Sequence, residues 1–156
     1  MCEHCGCREV EPIAELMDEH LALLEVSGDA RRQLAGGDLV RCMQTLGRLA
    51  GLLGRHVSRE EQGVFAAMKE QGDFVDAVEE LEAEHVSFDE ALAGLDPDAA
   101  DFADGVRALL AQLSDHIDNE NLGIFPAATI TLGARGWQTV VGAHEAEPSF
   151  LAAASA

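Results

Sequence analysis

Residues 55–65 read Arg55-His56-Val57-Ser58-Arg59-Glu60-Glu61-Gln62-Gly63-Val64-Phe65, and residues 115–125 read Asp115-His116-Ile117-Asp118-Asn119-Glu120-Asn121-Leu122-Gly123-Ile124-Phe125. His, Glu, Gly and Phe recur at one fixed offset of sixty residues. A spacing of four places His56 and Glu60 one turn apart on one helix face, and His116 and Glu120 likewise. In both cases the face is the apolar one. Glu60 continues the row Leu46, Leu49, Leu53, His56 and runs on to Val64; Glu120 continues Val106, Leu109, Leu113, His116 and runs on to Ile124. A weaker echo, Asp18-Glu19-His20 against Ala83-Glu84-His85, lies at an offset of sixty-five. The chain therefore reads as two helical hairpins, each carrying a His and then a His-x-x-x-Glu. Paired hairpins predict a site of approximate two-fold symmetry at their contact.

Strand signals are scarce and four long helices are expected. The first opens at Pro12, which suits a first helical turn, and ends by Gly36-Gly37; its apolar row is Ile13, Leu16, Met17, Leu23, Leu24, with His20 among them. Asp38 caps the second, which runs to about Gly72. The third spans about Asp73 to Leu95, with the 3-4 stripe Val78, Leu81, His85, Phe88, Leu92, Leu95. The fourth starts between Asp98 and Asp104 and is kinked or ended by Pro126. A short fifth segment, Trp137 to Ala143, is expected to pack across one end, and the chain after Pro148 to fray. Short connections make neighbouring helices antiparallel. The expected fold is all-α: an up-down-up-down four-helix bundle over residues 12–132, a Cys-rich N-terminal tail over 1–11, and a short extra C-terminal helix with its tail over 133–156.

Composition narrows the function. The chain has 156 residues, enough for one domain, and 47% of them are apolar, so it can build a core. Ten Lys and Arg stand against 29 Asp and Glu, a formal charge of −19, which disfavours nucleic acid and anionic membrane surfaces as partners. No apolar run has the ~20 residues of a membrane span, and the start lacks a secretory pattern, so the cytoplasm is the expected location. With no tyrosine, a tyrosyl-radical mechanism is ruled out.

Counting from the turns places His20, His56 and His85 within about one helical turn of a common height; His116 joins them if the fourth helix begins nearer Asp104. Four imidazoles and two carboxylates in one layer of an apolar core need compensation, because a buried unpaired carboxylate is costly and two together are worse. No lysine or arginine is expected near enough on these faces to neutralise them. Cations do so, and imidazole with carboxylate suits iron, manganese or zinc. Six ligands fit two ions: two histidines each, both glutamates bridging, and a bridging water or hydroxide that leaves an open position.

His20, His56-x-x-x-Glu60, His85 and His116-x-x-x-Glu120 together resemble the hemerythrin-like (HHE cation-binding) family over about Pro12 to Ala128. The resemblance implies a four-helix bundle with two non-heme iron ions and a bridging oxo or hydroxo group. It assigns His20 and His56 to one iron, His85 and His116 to the other, and Glu60 and Glu120 to the bridges. Oxygen carriers of the family have a fifth histidine one turn before the position of His85, where this chain has Leu81, and their last carboxylate is an aspartate five residues after its histidine. This chain is closer to the four-histidine, two-glutamate variant of bacterial type. That pattern also occurs in the iron-sensing domain of an F-box protein. The missing histidine opens the second iron to solvent or peroxide. Asp89 and Glu61 are candidates for an extra oxygen ligand, although an exposed helical acid is the simpler reading of each.

The implied function is to bind or sense a small diatomic ligand (O2 or NO), peroxide or iron. The alternatives are a catalase- or peroxidase-like di-iron enzyme that scavenges peroxide, and iron storage, delivery or iron-centre repair. A zinc-stabilised bundle without chemistry is the plainest one. Cys2, Cys5 and Cys7, with His4, form a candidate redox or soft-metal tail, whose simplest reading is a set of idle thiols. Cys42 reads as a small helix residue, Trp137 as a packing anchor and His144 as solvated. The two glycines, Gly63 and Gly123, read as points of close helix contact.

Overall fold

The computed structural model describes residues 6–152, apart from the side chain of Cys7. Every regular element among them is helical. A 3-10 turn, Cys7–Glu9, leads into α1, Glu11–Ala35. Helix α2 runs Leu39–Glu60, passes through a π-helical turn, Glu61–Phe65, and finishes as Ala66–Gln71. Helix α3 is Val75–Ala93. Helix α4 repeats the form of α2: Phe102–Asn119, a π turn at Glu120–Ile124, then Phe125–Thr131. Helix α5 is Ala134–Ala146.

The turns behave as their residues dictate. Asp38 accepts a hydrogen bond from the Arg41 amide at 3.1 Å and caps α2. Gly37 and Gly72 take left-handed φ of 74° and 85° at the ends of α1 and α2, where a side chain would be strained. Phe74 also has positive φ, 57°, at the start of α3, although it is not glycine. Pro126 does not end α4: it lies at the start of the segment after the π turn, where the missing N–H costs least.

The core has two parts with a polar layer between them. One is built from Leu23, Val26, Leu46, Leu49, Leu53, Phe88, Leu109, Leu110 and Leu113, among others; the second contains Ile13, Leu16, Met17, Val64, Phe65, Met68, Val78, Leu81, Ile124 and Phe125. On every long helix the boundary falls at the same place: between Met17 and Leu23, between Leu53 and Val64, between Leu81 and Phe88, and between Ile117 and Ile124. That common boundary is what an up-down-up-down bundle with one histidine layer requires.

Two expectations about the C-terminal region are corrected. Helix α5 extends beyond Trp137–Ala143 at both ends. It also packs along α2: a Cβ on Gly63 would meet the Ala143 Cβ at 3.4 Å and the Val140 Cα at 3.6 Å. Gly63 is therefore a point of close contact, whereas the space around Gly123 is open. The chain after Pro148 does not fray before Ala152. Phe150 is buried in the first core, and Arg55 donates to the Pro148 carbonyl at 2.9 Å. The Cys2 and Cys5 tail lies outside the described residues.

Candidate metal centre

All six predicted residues, His20, His56, Glu60, His85, His116 and Glu120, are buried and meet in the polar layer. Their inward atoms form two groups, one of His20, His56, Glu60 and Glu120, the other of His85, His116 and Glu120. Glu60 turns Oε1 to His56 Nε2 at 3.0 Å and to His20 Nε2 at 3.5 Å, and Oε2 to His85 Nε2 at 3.6 Å. Glu120 turns Oε2 to His20 Nε2 at 3.1 Å, and Oε1 to His116 Nε2 at 3.1 Å and His85 Nε2 at 3.8 Å. Each carboxylate thus offers a separate oxygen to each histidine pair. His85 Nε2 and His116 Nε2 lie 3.0 Å apart, ring apex to ring apex.

The outward ring nitrogens are all committed elsewhere. His20 Nδ1 donates to Asn121 Oδ1 at 2.9 Å, His56 Nδ1 to Glu19 Oε2 at 2.7 Å, His85 Nδ1 to Glu61 Oε1 at 2.9 Å and His116 Nδ1 to Glu84 Oε2 at 2.5 Å. A carboxylate or amide oxygen only accepts, so every Nδ1 carries the proton and every Nε2 faces the centre as a donor atom. The two hairpins hold each other: Asn121 and the stacked ring of Phe125 fix His20, while Glu61 and the stacked ring of Phe65 fix His85. The two-fold relation expected from the repeat is therefore a relation of outer partners as well as of the six central residues.

The donor chemistry fits a cation. Among the described residues, His20 Nε2, His56 Nε2 and both oxygens of Glu60 and of Glu120 are buried without a hydrogen-bond partner, despite the short distances between them. Unpartnered polar atoms are rare in a buried layer, and so many together signal a missing counter-charge. The same pull acts on protons. Burial opposes charge on His20, yet Glu120 and Glu60 push its pKa up to about 10. Burial likewise opposes charge on His85, and Glu120 and Glu60 push it up to about 9. Burial raises the pKa values of Glu60 and Glu120, but the facing histidines hold them below the ordinary value, Glu120 far below it.

These shifts carry a sign. A histidine whose pKa rises on folding stabilises the fold fully below its ordinary value, 6.5, and loses that contribution as pH climbs through the folded value. The glutamates, shifted down from 4.5, contribute above that value and lose it as pH falls. Protein stripped of metal is expected to be most stable near about pH 5–6, and its melting temperature to fall steadily between about pH 7 and 10. Thermal melts across that range check this; a flat profile would contradict it.

Arg59 and its partners were missed by sequence reasoning. The Arg59 side chain is 1% exposed; Nη1 donates to Glu19 Oε1, and Nη2 to Glu15 Oε2 and, at 2.9 Å, to His144 Nδ1. Arg59 therefore neutralises the carboxylate that holds His56, though it does not touch Glu60 or Glu120. His144 is not solvated: it packs between Arg59 and Glu15, and burial and then Arg59 lower its pKa. Glu61, 38% exposed, orients His85. Asp89 is exposed beside Met43 and Leu46, in a groove formed with residues of the first core. The Cys42 thiol is buried against the Ala30 carbonyl, and Trp137 packs on the second core.

The largest cavity described, about 410 Å³, lies between α3 and α4, lined by Phe74, Ala77, Glu80, Leu81, Glu84, Asn119, Gly123, Ile124 and Ala127. Leu81 is one turn before His85, and Glu84 is the residue that holds His116. A smaller recess on the other side of Glu84 reaches His116 itself.

Fold and site together define a helical bundle with a buried histidine-carboxylate cluster that could hold metal cations. The hemerythrin HHE cation binding domain model matches residues 11–128, and the chain belongs to that family. No curated protein and no solved structure gave a match. Among the described residues no helix is long and apolar enough to cross a membrane.

Proposed function

We propose that this chain is a non-heme di-iron protein that binds and senses a small oxidant or diatomic ligand: O2, NO or peroxide. The observation that supports this most is the donor set, four imidazole nitrogens and four carboxylate oxygens facing one another while every outer nitrogen is tied away. His20 and His56 would hold one iron and His85 and His116 the other, with Glu60 and Glu120 between them. Iron held there would supply a redox-active centre.

The chain's own residues do the rest. Asn121, Glu19, Glu61 and Glu84 hold the imidazoles at fixed angles, so little reorganisation accompanies ligand arrival. Phe65 and Phe125, both fully buried, stack on His85 and His20 and exclude water from the layer. Leu81 stands where the family's oxygen carriers have a further histidine, so the His85 and His116 half would have one donor fewer; a ligand entering by the cavity of Leu81 and Glu84, which none of the six central residues lines, would pass Leu81 to reach them.

The test is to load the protein with ferrous iron without oxygen, then follow the near-ultraviolet and visible spectrum on adding NO or hydrogen peroxide. Saturable spectral change without turnover supports binding and sensing. Sustained peroxide consumption moves the protein to the scavenging enzyme, and two bound irons with no response to any ligand contradict the reading. Because Gly123 faces open space, Gly123→Leu is expected to narrow the cavity without disturbing the fold. It should slow ligand binding several-fold at unchanged iron content, and an unchanged rate would show that ligands enter elsewhere.

A further inference from the structure

The two halves of the layer differ in the charge of their outer partners. In one half, His20 meets the neutral amide of Asn121, and His56 meets Glu19, whose other oxygen is bound by the Arg59 guanidinium. In the other half, His85 meets the carboxylate of Glu61 and His116 the carboxylate of Glu84. Among the described residues neither of those two carboxylates is paired with a lysine or arginine. The repeat locates the difference in single residues: Arg59 stands where the other hairpin has Asn119, and Glu61 where it has Asn121.

An anionic acceptor draws on the Nδ1 proton and makes Nε2 a stronger donor. A neutral amide does this weakly, and a guanidinium sharing the carboxylate removes part of the effect. We propose that the two cation positions are unequal by construction, the His85 and His116 position being the tighter and more electron-rich, with Glu61 and Glu84 as the positioning residues that make it so. This rests on the two-cation reading above. Glu84, which supports the tighter position, also lines the cavity with Leu81. The His20 and His56 position, backed by Arg59, is its fixed neighbour.

Titration of metal-free protein with cobalt(II), followed by its visible absorption, tests this without turnover. Two ions are expected to bind in two resolved steps. Glu61→Gln, a near-isosteric change at a partly exposed residue, should weaken the tighter step about 10–100-fold and leave the other nearly unchanged. Asn121→Asp places a carboxylate on His20 and should strengthen the weaker step, drawing the two together. Two ions bound in equal steps, or both substitutions acting on the same step, would overturn the inference and leave the two-cation reading standing. Binding of a single ion would overturn both.

Discussion

Removing metal is expected to lower the melting temperature by roughly 10–30 °C. A ligand held at 100 to 1,000 times its Kd stabilises the fold by about 3–4 kcal/mol, and two sites double that. In a domain of this size each kcal/mol shifts the melting temperature by about 2–4 °C. The structural reason is the layer itself, where six polar side chains divide the apolar core and the inward oxygens of Glu60 and Glu120 have no hydrogen-bond partner among the described residues. Stripping the cations leaves protons as the only counter-charge, and these are lost as pH rises. Melts before and after exhaustive chelation, with removal verified by elemental analysis, measure the effect. An unchanged melting temperature would mean that the layer is satisfied without metal.

Replacing Arg59 with alanine is expected to cost about 3–5 kcal/mol, because it breaks a buried ion pair and leaves one partner charged. Glu19 is fully buried, and its oxygens are divided between Arg59 and His56. Without the guanidinium, Glu19 retains only neutral or titratable partners, His56 and the Ser149 side chain, while Glu15 and His144 lose their common partner. The expected readout is a melting temperature lower by roughly 6–20 °C. The double substitution Arg59→Met with Glu19→Gln should recover part of the loss, since no unpaired charge is left buried and the amide oxygen still accepts from His56 Nδ1. A single substitution that costs less than about 1 kcal/mol would show the pair to be no more than a surface-type contact.

The fold and the six central residues were legible because each repeats. His56 and Glu60 have counterparts in His116 and Glu120, and all sit on rows of leucine and valine that fix which way they face. The outer partners were written in the same repeat but could not be assigned from it. Glu19 and Glu84 precede His20 and His85, yet on a helix adjacent residues point apart, so nothing in sequence shows that each reaches the histidine of the next helix. Glu61 and Asn121 occupy one repeat position and hold His85 and His20, a crossing between hairpins that only the packed bundle reveals.

The remaining differences have local causes. Arg59 is flanked by polar residues and reads as exposed; it is buried because α1 brings Glu15 and Glu19, and α5 brings His144, around it. The π turns at Glu61–Phe65 and Glu120–Ile124 are five residues each, too short for hydrophobic periodicity to distinguish from an α-helical turn. Their effect is still visible, for Glu60 and Phe65 lie five apart and both face inward. Phe150 reads as part of a fraying tail because Phe150-Leu151, just after Pro148 and Ser149, is too short a run to carry a periodic signal.

Whether the buried layer holds two cations is decided by metal content per chain after loading with ferrous iron without oxygen, measured by elemental analysis. Two irons per chain in the native sequence, falling to one or none in Glu120→Ala with helicity retained, is the expected result. No retained metal in the native chain, or an unchanged two in Glu120→Ala, would contradict it.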